Sequence, residues 1–135
     1  MRVIRSITAV LASTGVIAGV GIAAAAPASA APRACEKGVG CTYEDANYGW
    51  GYIHFSRNVK DYEPIGYWAT SYHPKTNDAA SSVYNNGNVK RAMWFKDSRY
   101  KGTKVTLARQ TGIPNLGSVS LNDKVSSACF ETYCY

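Results

Sequence analysis

The chain has 135 residues, a formal net charge of +6, 12 glycines, 10 tyrosines and four cysteines. That length fits one small domain behind any leader. Its basic residues are scattered, which argues for solvated charge and against a nucleic-acid surface, and its few leucines and lack of a long amphipathic pattern argue against a helical bundle.

Arg2 and Arg5 open the chain, and an apolar, charge-free run follows from Ile7 through Ala26. Ala28-Ser29-Ala30 then forms a small-x-small cleavage site. The pattern reads as a secretory signal peptide over residues 1–30, cut before Ala31. A membrane anchor is the rival, because the run approaches spanning length. The Ala- and Gly-rich content and the cleavage signature favour the signal, and no second apolar span follows. Residues 31–135 are then expected to be a secreted, extracellular single domain. They carry 13 basic against 9 acidic residues, a net charge of +4. A monomer off the membrane is expected.

All four cysteines, Cys35, Cys41, Cys129 and Cys134, sit near the two ends of that domain. An exported chain meets oxidising conditions, so disulfides are the default. Of the three pairings, the local ones, Cys35–Cys41 and Cys129–Cys134, are favoured because each spans a short loop. Each closure contributes about 2 kcal/mol. A zinc site would want closer pairs or nearby histidines; His54 and His73 lie far from both pairs in sequence.

The domain repeats itself. Tyr43-Glu44-Asp45-Ala46-Asn47-Tyr48 aligns with Phe95-Lys96-Asp97-Ser98-Arg99-Tyr100. Downstream, Asn77-Asp78-Ala79-Ala80-Ser81-Ser82 aligns with Asn122-Asp123-Lys124-Val125-Ser126-Ser127. Asn and Asp close tight turns through their own backbone, and one such turn would mean only a loop. Two copies, each behind the same aromatic pattern, mean two similar halves. The halves differ just after the aromatic stretch: Gly102 follows Tyr100 after one residue, where the first half has Trp50 between Gly49 and Gly51. A one-residue shift would let Gly49 or Gly51 serve instead.

Residues 50–55 and 103–107 have the alternation and aromatic or β-branched content of strands. Val83-Tyr84 and Val125 mark strands leaving the two Asn-Asp turns. Asn86-Gly87 is the strongest hairpin signal in the chain and is expected to join the halves. About four short strands per half make an all-β, two-sheet sandwich with Greek-key connections. Motif one runs over about 41–86 and motif two over about 89–130. The first half also carries a longer insert, 61–73, rich in aromatics. These either cover the end of the sandwich, as buried aromatics do in small cores, or form an exposed binding patch.

The Tyr-Glu-Asp-x-Asn-Tyr stretch and the later Asn-Asp-x-x-Ser-Ser turn resemble the Greek-key motif of βγ-crystallins. With cysteines just ahead of the first motif, the secreted domain is similar to the bacterial peptidase inhibitors typified by the Streptomyces metalloproteinase inhibitor. That resemblance implies an extracellular, thermolysin-like zinc protease as partner. It also implies a substrate-like bond after the first cysteine of a Cys-x-x-x-x-Cys loop. Cys129 through Cys134 have that spacing, which assigns the bond to Cys129 and Phe130, although here the loop closes the chain. A disulfide across such a loop holds a segment in one conformation, and ordering done in advance raises affinity. The alternative is that Phe130 is core and the disulfide ties down the terminus.

The same resemblance implies a calcium clamp built from the two crossed turns. Asp78 and Asp123 would give carboxylates, Ser81 and Ser126 hydroxyls, and Ala79 and Lys124 carbonyls, with Asn77 and Asn122 opening the turns. One carboxylate per site implies weak binding, about 10⁻⁴–10⁻³ M. Otherwise these oxygens only satisfy backbone amides. A calcium-stabilised module with a structural, stress or toxin-like role is the second functional class. An enzyme is the least supported: disulfides leave no free thiol, and no nucleophile–base pair is recognisable.

Overall fold

Strand β1, Gly40–Tyr43, turns Thr42 inward and Cys41 and Tyr43 outward, the period-two alternation of an extended chain. It belongs to a computed structural model that describes residues 31–135. The expected signal segment, residues 1–30, lies outside the described residues. The other strands are β2 Tyr52–Phe55, β3 Asn58–Val59, β4 Ser82–Asn85, β5 Ala92–Asp97, β6 Lys101–Leu107, β7 Thr111–Ile113 and β8 Ser127–Phe130.

Two antiparallel sheets result, ordered β2-β1-β4-β7 and β3-β8-β5-β6. Adding four to each strand number of motif one, β1 to β4, gives its counterpart in motif two, β5 to β8. The order then maps one sheet onto the other: β2-β1-β4 becomes β6-β5-β8, and the visiting strand β7 corresponds to β3. Each half therefore lends its third strand to the sheet of the other half. This is the all-β sandwich of two Greek keys that the repeats imply.

Between the sheets lies Trp94, fully buried, against Phe55 at 5.7 Å between ring centroids, and Phe55 in turn meets Phe130 at 5.2 Å. Trp94 Nε1 donates to Thr42 Oγ1 at 2.8 Å, and Thr42 Oγ1 lies 2.9 Å from the Tyr62 hydroxyl. These buried polar atoms thereby satisfy one another, which avoids the cost of leaving them unpaired. Each sheet also carries an aromatic cluster on its outer face. Tyr43, Tyr48 and Tyr84 lie beside Cys41 on one. Phe95 and Tyr100 lie beside Cys129 on the other. Cys35–Cys41 and Cys129–Cys134 are both bonded, the local pairing. Among the described residues, no helix is long and apolar enough to cross a membrane.

The expected hairpin at Asn86-Gly87 is not one. β4 and β5 lie in different sheets and do not pair. Neither Asn86 nor Gly87 takes the positive φ that a two-residue type I′ turn needs. Instead Asn86 continues the β1–β4 ladder, donating to Val39 O at 3.0 Å and accepting from Gly38 N at 2.8 Å. The Asn85 side chain then braces the crossover: it accepts from Gly87 N and donates to the carbonyls of Lys90 and Leu107. Asparagine amides here carry a crossing between sheets, which turn statistics alone do not separate from a hairpin.

Candidate functional site

The two Asn-Asp turns meet across the seam between the halves. Asp78 donates its amide to Val125 O at 3.1 Å, and Asp123 donates its amide to Ala80 O at 2.9 Å. Both aspartates adopt φ of 52°, in the left-handed region that Asp tolerates better than most residues. Ser81 N and Ser126 N bond to Tyr43 O and Phe95 O, both at 3.0 Å. The second serine of each turn then locks the aromatic stretch of its own motif. Ser82 Oγ donates to Asp45 O at 2.6 Å and accepts from Tyr48 N at 3.0 Å. Ser127 Oγ donates to Asp97 O at 2.6 Å and accepts from Tyr100 N at 3.0 Å.

Of the expected calcium ligands, Asp78 and Ser126 are brought together, the hydroxyl donating to the carboxylate at 2.9 Å. No matching hydrogen bond joins Ser81 to Asp123 among the described residues. Asn77 and Asn122 donate to the carboxylates of their own neighbours, Asp78 and Asp123, at 3.1 and 2.7 Å. The donor set is all oxygen, the type calcium takes, with single carboxylates in place of an acidic cluster. Among the described residues no group of three His, Cys, Asp or Glu is placed to hold a metal ion.

The C-terminal loop departs from expectation. Cys129 is fully buried, and Phe130 is only 4% exposed, with its ring in the central core. Alternation along β8 explains why: Ala128 and Phe130 face inward, so Cys129 faces the outer cluster and its disulfide closes there. The Cys129–Phe130 peptide lies in a strand paired on both sides, with β3 and β5. It cannot be offered to a protease as an exposed extended bond, and Phe130 cannot enter a foreign pocket without leaving its own. The accessible side chains of the loop are Glu131, Thr132 and Tyr133. The Arg91 guanidinium pairs with Glu131 and holds its carboxyl below the usual range. Tyr133 has Lys90 Nζ 4.6 Å from its ring centroid and Asn58 Nδ2 donating to its carbonyl at 2.9 Å. The disulfide thus ties down the terminus.

The aromatic residues of the insert divide between the core and the surface. Tyr62 and Trp68 are core, Trp68 Nε1 donating to Lys75 O at 2.7 Å. Tyr67 and Tyr72 are exposed. A bridge between Tyr52 and Ala69 joins the insert to the edge of β2, and a hydrogen bond between the Glu44 carboxylate and His73 Nδ1 ties its far end.

Trp50 corrects the shift expected near Gly49 and Gly51. Asn47, Tyr48 and Trp50 have φ of 57°, 60° and 52°, and Arg99, Tyr100 and Gly102 have 57°, 61° and 74°. The two halves therefore stay in register, and Trp50 itself holds the left-handed place of Gly102. The glycine is the unstrained choice there; a side-chain-bearing residue costs about 1–2 kcal/mol. Trp50 borders a groove of about 500 Å³ lined also by Arg33, Tyr43, Tyr48, Tyr52 and Thr70. Residue-by-residue reasoning did not single out this groove. The signal was present in the mismatch of Trp50 with Gly102.

The sequence model of peptidase inhibitor family I36 matches residues 28–107, more than half of the chain. The chain belongs to that family. Membership supports a protease-inhibitor role and points to a protein that is not an enzyme. The I36 match spans β1 through β6 and leaves residues 108–135, with the Cys129–Cys134 loop, outside it. Comparison with curated proteins returned no match. Among solved structures, one described under the evolution of the eye lens βγ-crystallin domain fold is 28% identical. That alignment covers 70% of this chain and 85% of the other, with a TM-score of 0.59. A βγ-crystallin from Ciona intestinalis is 23% identical over 70% of this chain and 100% of its own, with a TM-score of 0.56. An archaeal βγ-crystallin is 16% identical, covering 70% and 99%, with a TM-score of 0.51. The last two establish the fold alone. The two disulfides and the inhibitor family are consistent with an extracellular protein.

Proposed function

We propose that this I36 protein is a secreted, monomeric inhibitor of an extracellular thermolysin-like zinc metalloprotease. The I36 match over residues 28–107 carries the reading. A rigid β-sandwich with both ends tied by disulfides supports it, because a pre-ordered surface loses little entropy on binding. Inhibition works by occlusion from a fixed surface rather than by presentation of the Cys129–Phe130 bond. Titrating a fixed amount of thermolysin, and of a subtilisin-type serine protease in parallel, tests this. The expected result is a stoichiometric loss of zinc-protease activity with the serine protease unaffected. Inhibition of the serine protease alone would overturn the target class.

The contact between Asp78 and Ser126 favours a second property: weak calcium binding at the crossed turns. Asp78 and Ser126, and Asp123 and Ser81, with the carbonyls of Lys124 and Ala79, would hold the ion. When bound, calcium would pin the two halves together and add stability to the inhibitor; the reading does not compete with inhibition.

A further inference from the structure

The internal repeat supplies a control that a single-copy fold lacks. Gly102 shows what this backbone place accepts without strain, and a Cβ there would collide with the Asp97 carboxylate. The same place in the first half holds a tryptophan, strained and 72% exposed. Two places on, Tyr52 stands where the second half has Lys104: Tyr43 pairs with Tyr52 as Phe95 pairs with Lys104. Exposure of Trp50 adds nothing to the core, so packing does not explain it. Left-handed backbone at bulky residues gathers at functional sites; the φ of Tyr48 is shared with Tyr100 and belongs to the fold, but Thr70 of the same groove also has positive φ.

The groove's chemistry defines what it takes. Its lining of Arg33, Tyr43, Tyr48, Trp50 and Tyr52 has the residue types that dominate interface energetics. Arg33 is its one charged lining residue, and no ion pair engages the guanidinium among the described residues. A complementary surface therefore offers an apolar side chain beside a carboxylate. The groove draws on residues 33–70, all within the span matched by the inhibitor family, whereas the C-terminal loop falls outside that span. We infer that the Trp50 groove is the surface that docks the inhibited protease, gripping an apolar side chain while Arg33 pairs with an acidic residue at its rim.

This inference rests on the inhibitor reading, and the test separates the two. Inhibition constants against thermolysin are measured for the purified wild type and for Trp50→Gly, Arg33→Glu and Thr132→Ala, with melting temperatures alongside. Trp50→Gly installs the residue of the second half, so the fold is retained and the melting temperature stays equal or rises. Its inhibition constant is expected to rise about 30-fold or more, as for a central aromatic anchor. Arg33→Glu is expected to weaken inhibition with a reduced salt dependence, and Thr132→Ala to inhibit as the wild type does. Wild-type inhibition that Trp50→Gly and Arg33→Glu leave intact would overturn the groove while sparing the inhibitor reading. Loss in Thr132→Ala alone would move the contact to the C-terminal loop. A wild type that inhibits neither protease class would overturn both.

Discussion

Ser126 donates its hydroxyl to the Asp78 carboxylate at 2.9 Å, joining the second half of the chain to the first. The carboxylate is exposed, so solvent shares it. Removing it by Asp78→Ala is expected to cost about 1 kcal/mol in urea unfolding without calcium. With calcium at ten- to a hundred-fold excess over its dissociation constant, the wild type is expected to gain about 1.4–2.7 kcal/mol. Asp78→Ala is expected to lose much of that gain. A wild-type melting temperature unmoved by 10 mM calcium would count against the clamp.

Phe130 distinguishes a core role from a contact role. Phe130→Ala is expected to destabilise by about 3–5 kcal/mol, from lost burial and the cavity left against Phe55. Phe130→Leu keeps most of the volume and is expected to cost about 1.5 kcal/mol or less. Its inhibition constant is expected to match the wild type once the protein is folded. An intact fold with abolished inhibition in Phe130→Leu would return this residue to the protease interface.

The serine locks give a matched pair of tests. Ser82→Ala and Ser127→Ala each remove two hydrogen bonds and leave a backbone amide, Tyr48 N or Tyr100 N, without its acceptor. Each is expected to cost about 1–2 kcal/mol. Equal losses in chemical denaturation are expected, because the two serines make the same pair of backbone hydrogen bonds at the same distances. A large loss in one and none in the other would mean that the repeat is geometric but not energetic.

Alkaline pH should weaken the fold. Burial pushes the Tyr62 hydroxyl well above its ordinary value, against the polar groups of Thr42 and Trp94 beside it, which act the other way. Burial also raises Tyr43, with nearby Tyr48, Tyr52 and Tyr84 adding to the shift. Unfolded tyrosines titrate near 10, so above that pH the unfolded chain loses protons that the native state keeps. Stability is therefore full below about pH 10 and falls as pH rises toward the native values. Urea midpoints between pH 8 and 11 check this. Tyr62→Phe is expected to start lower, by about 1 kcal/mol, and to fall less steeply.

The repeat made the architecture legible. Asn77-Asp78 and Asn122-Asp123, with the aromatic stretches ahead of them, fix two equivalent turns, and the disulfides follow from short loops. The exchange of β3 and β7 was not legible, because strands of two and three residues carry too little alternation to assign a sheet. Asn86-Gly87 misled because its neighbour Asn85 spends its amide on carbonyls across the crossover, a tertiary choice. Phe130 was ambiguous only while β8 lacked a phase; with Ser127 clamped to Asp97 and Tyr100, the parity of the next three residues follows. Trp50 was visible as a misfit, but its backbone strain required the observed dihedral angle.

Because each half lends a strand to the other's sheet, neither can be excised and remain whole. A fragment ending at Leu107, where the family match stops, would keep β5 and β6 yet lack β8, leaving Trp94 without the floor that Ala128 and Phe130 provide. Loss of either half should therefore bring down both in one concerted transition. The vacant slot in such a fragment is also shaped for the missing strands of another molecule, so truncation invites swapped, intertwined dimers rather than a smaller inhibitor.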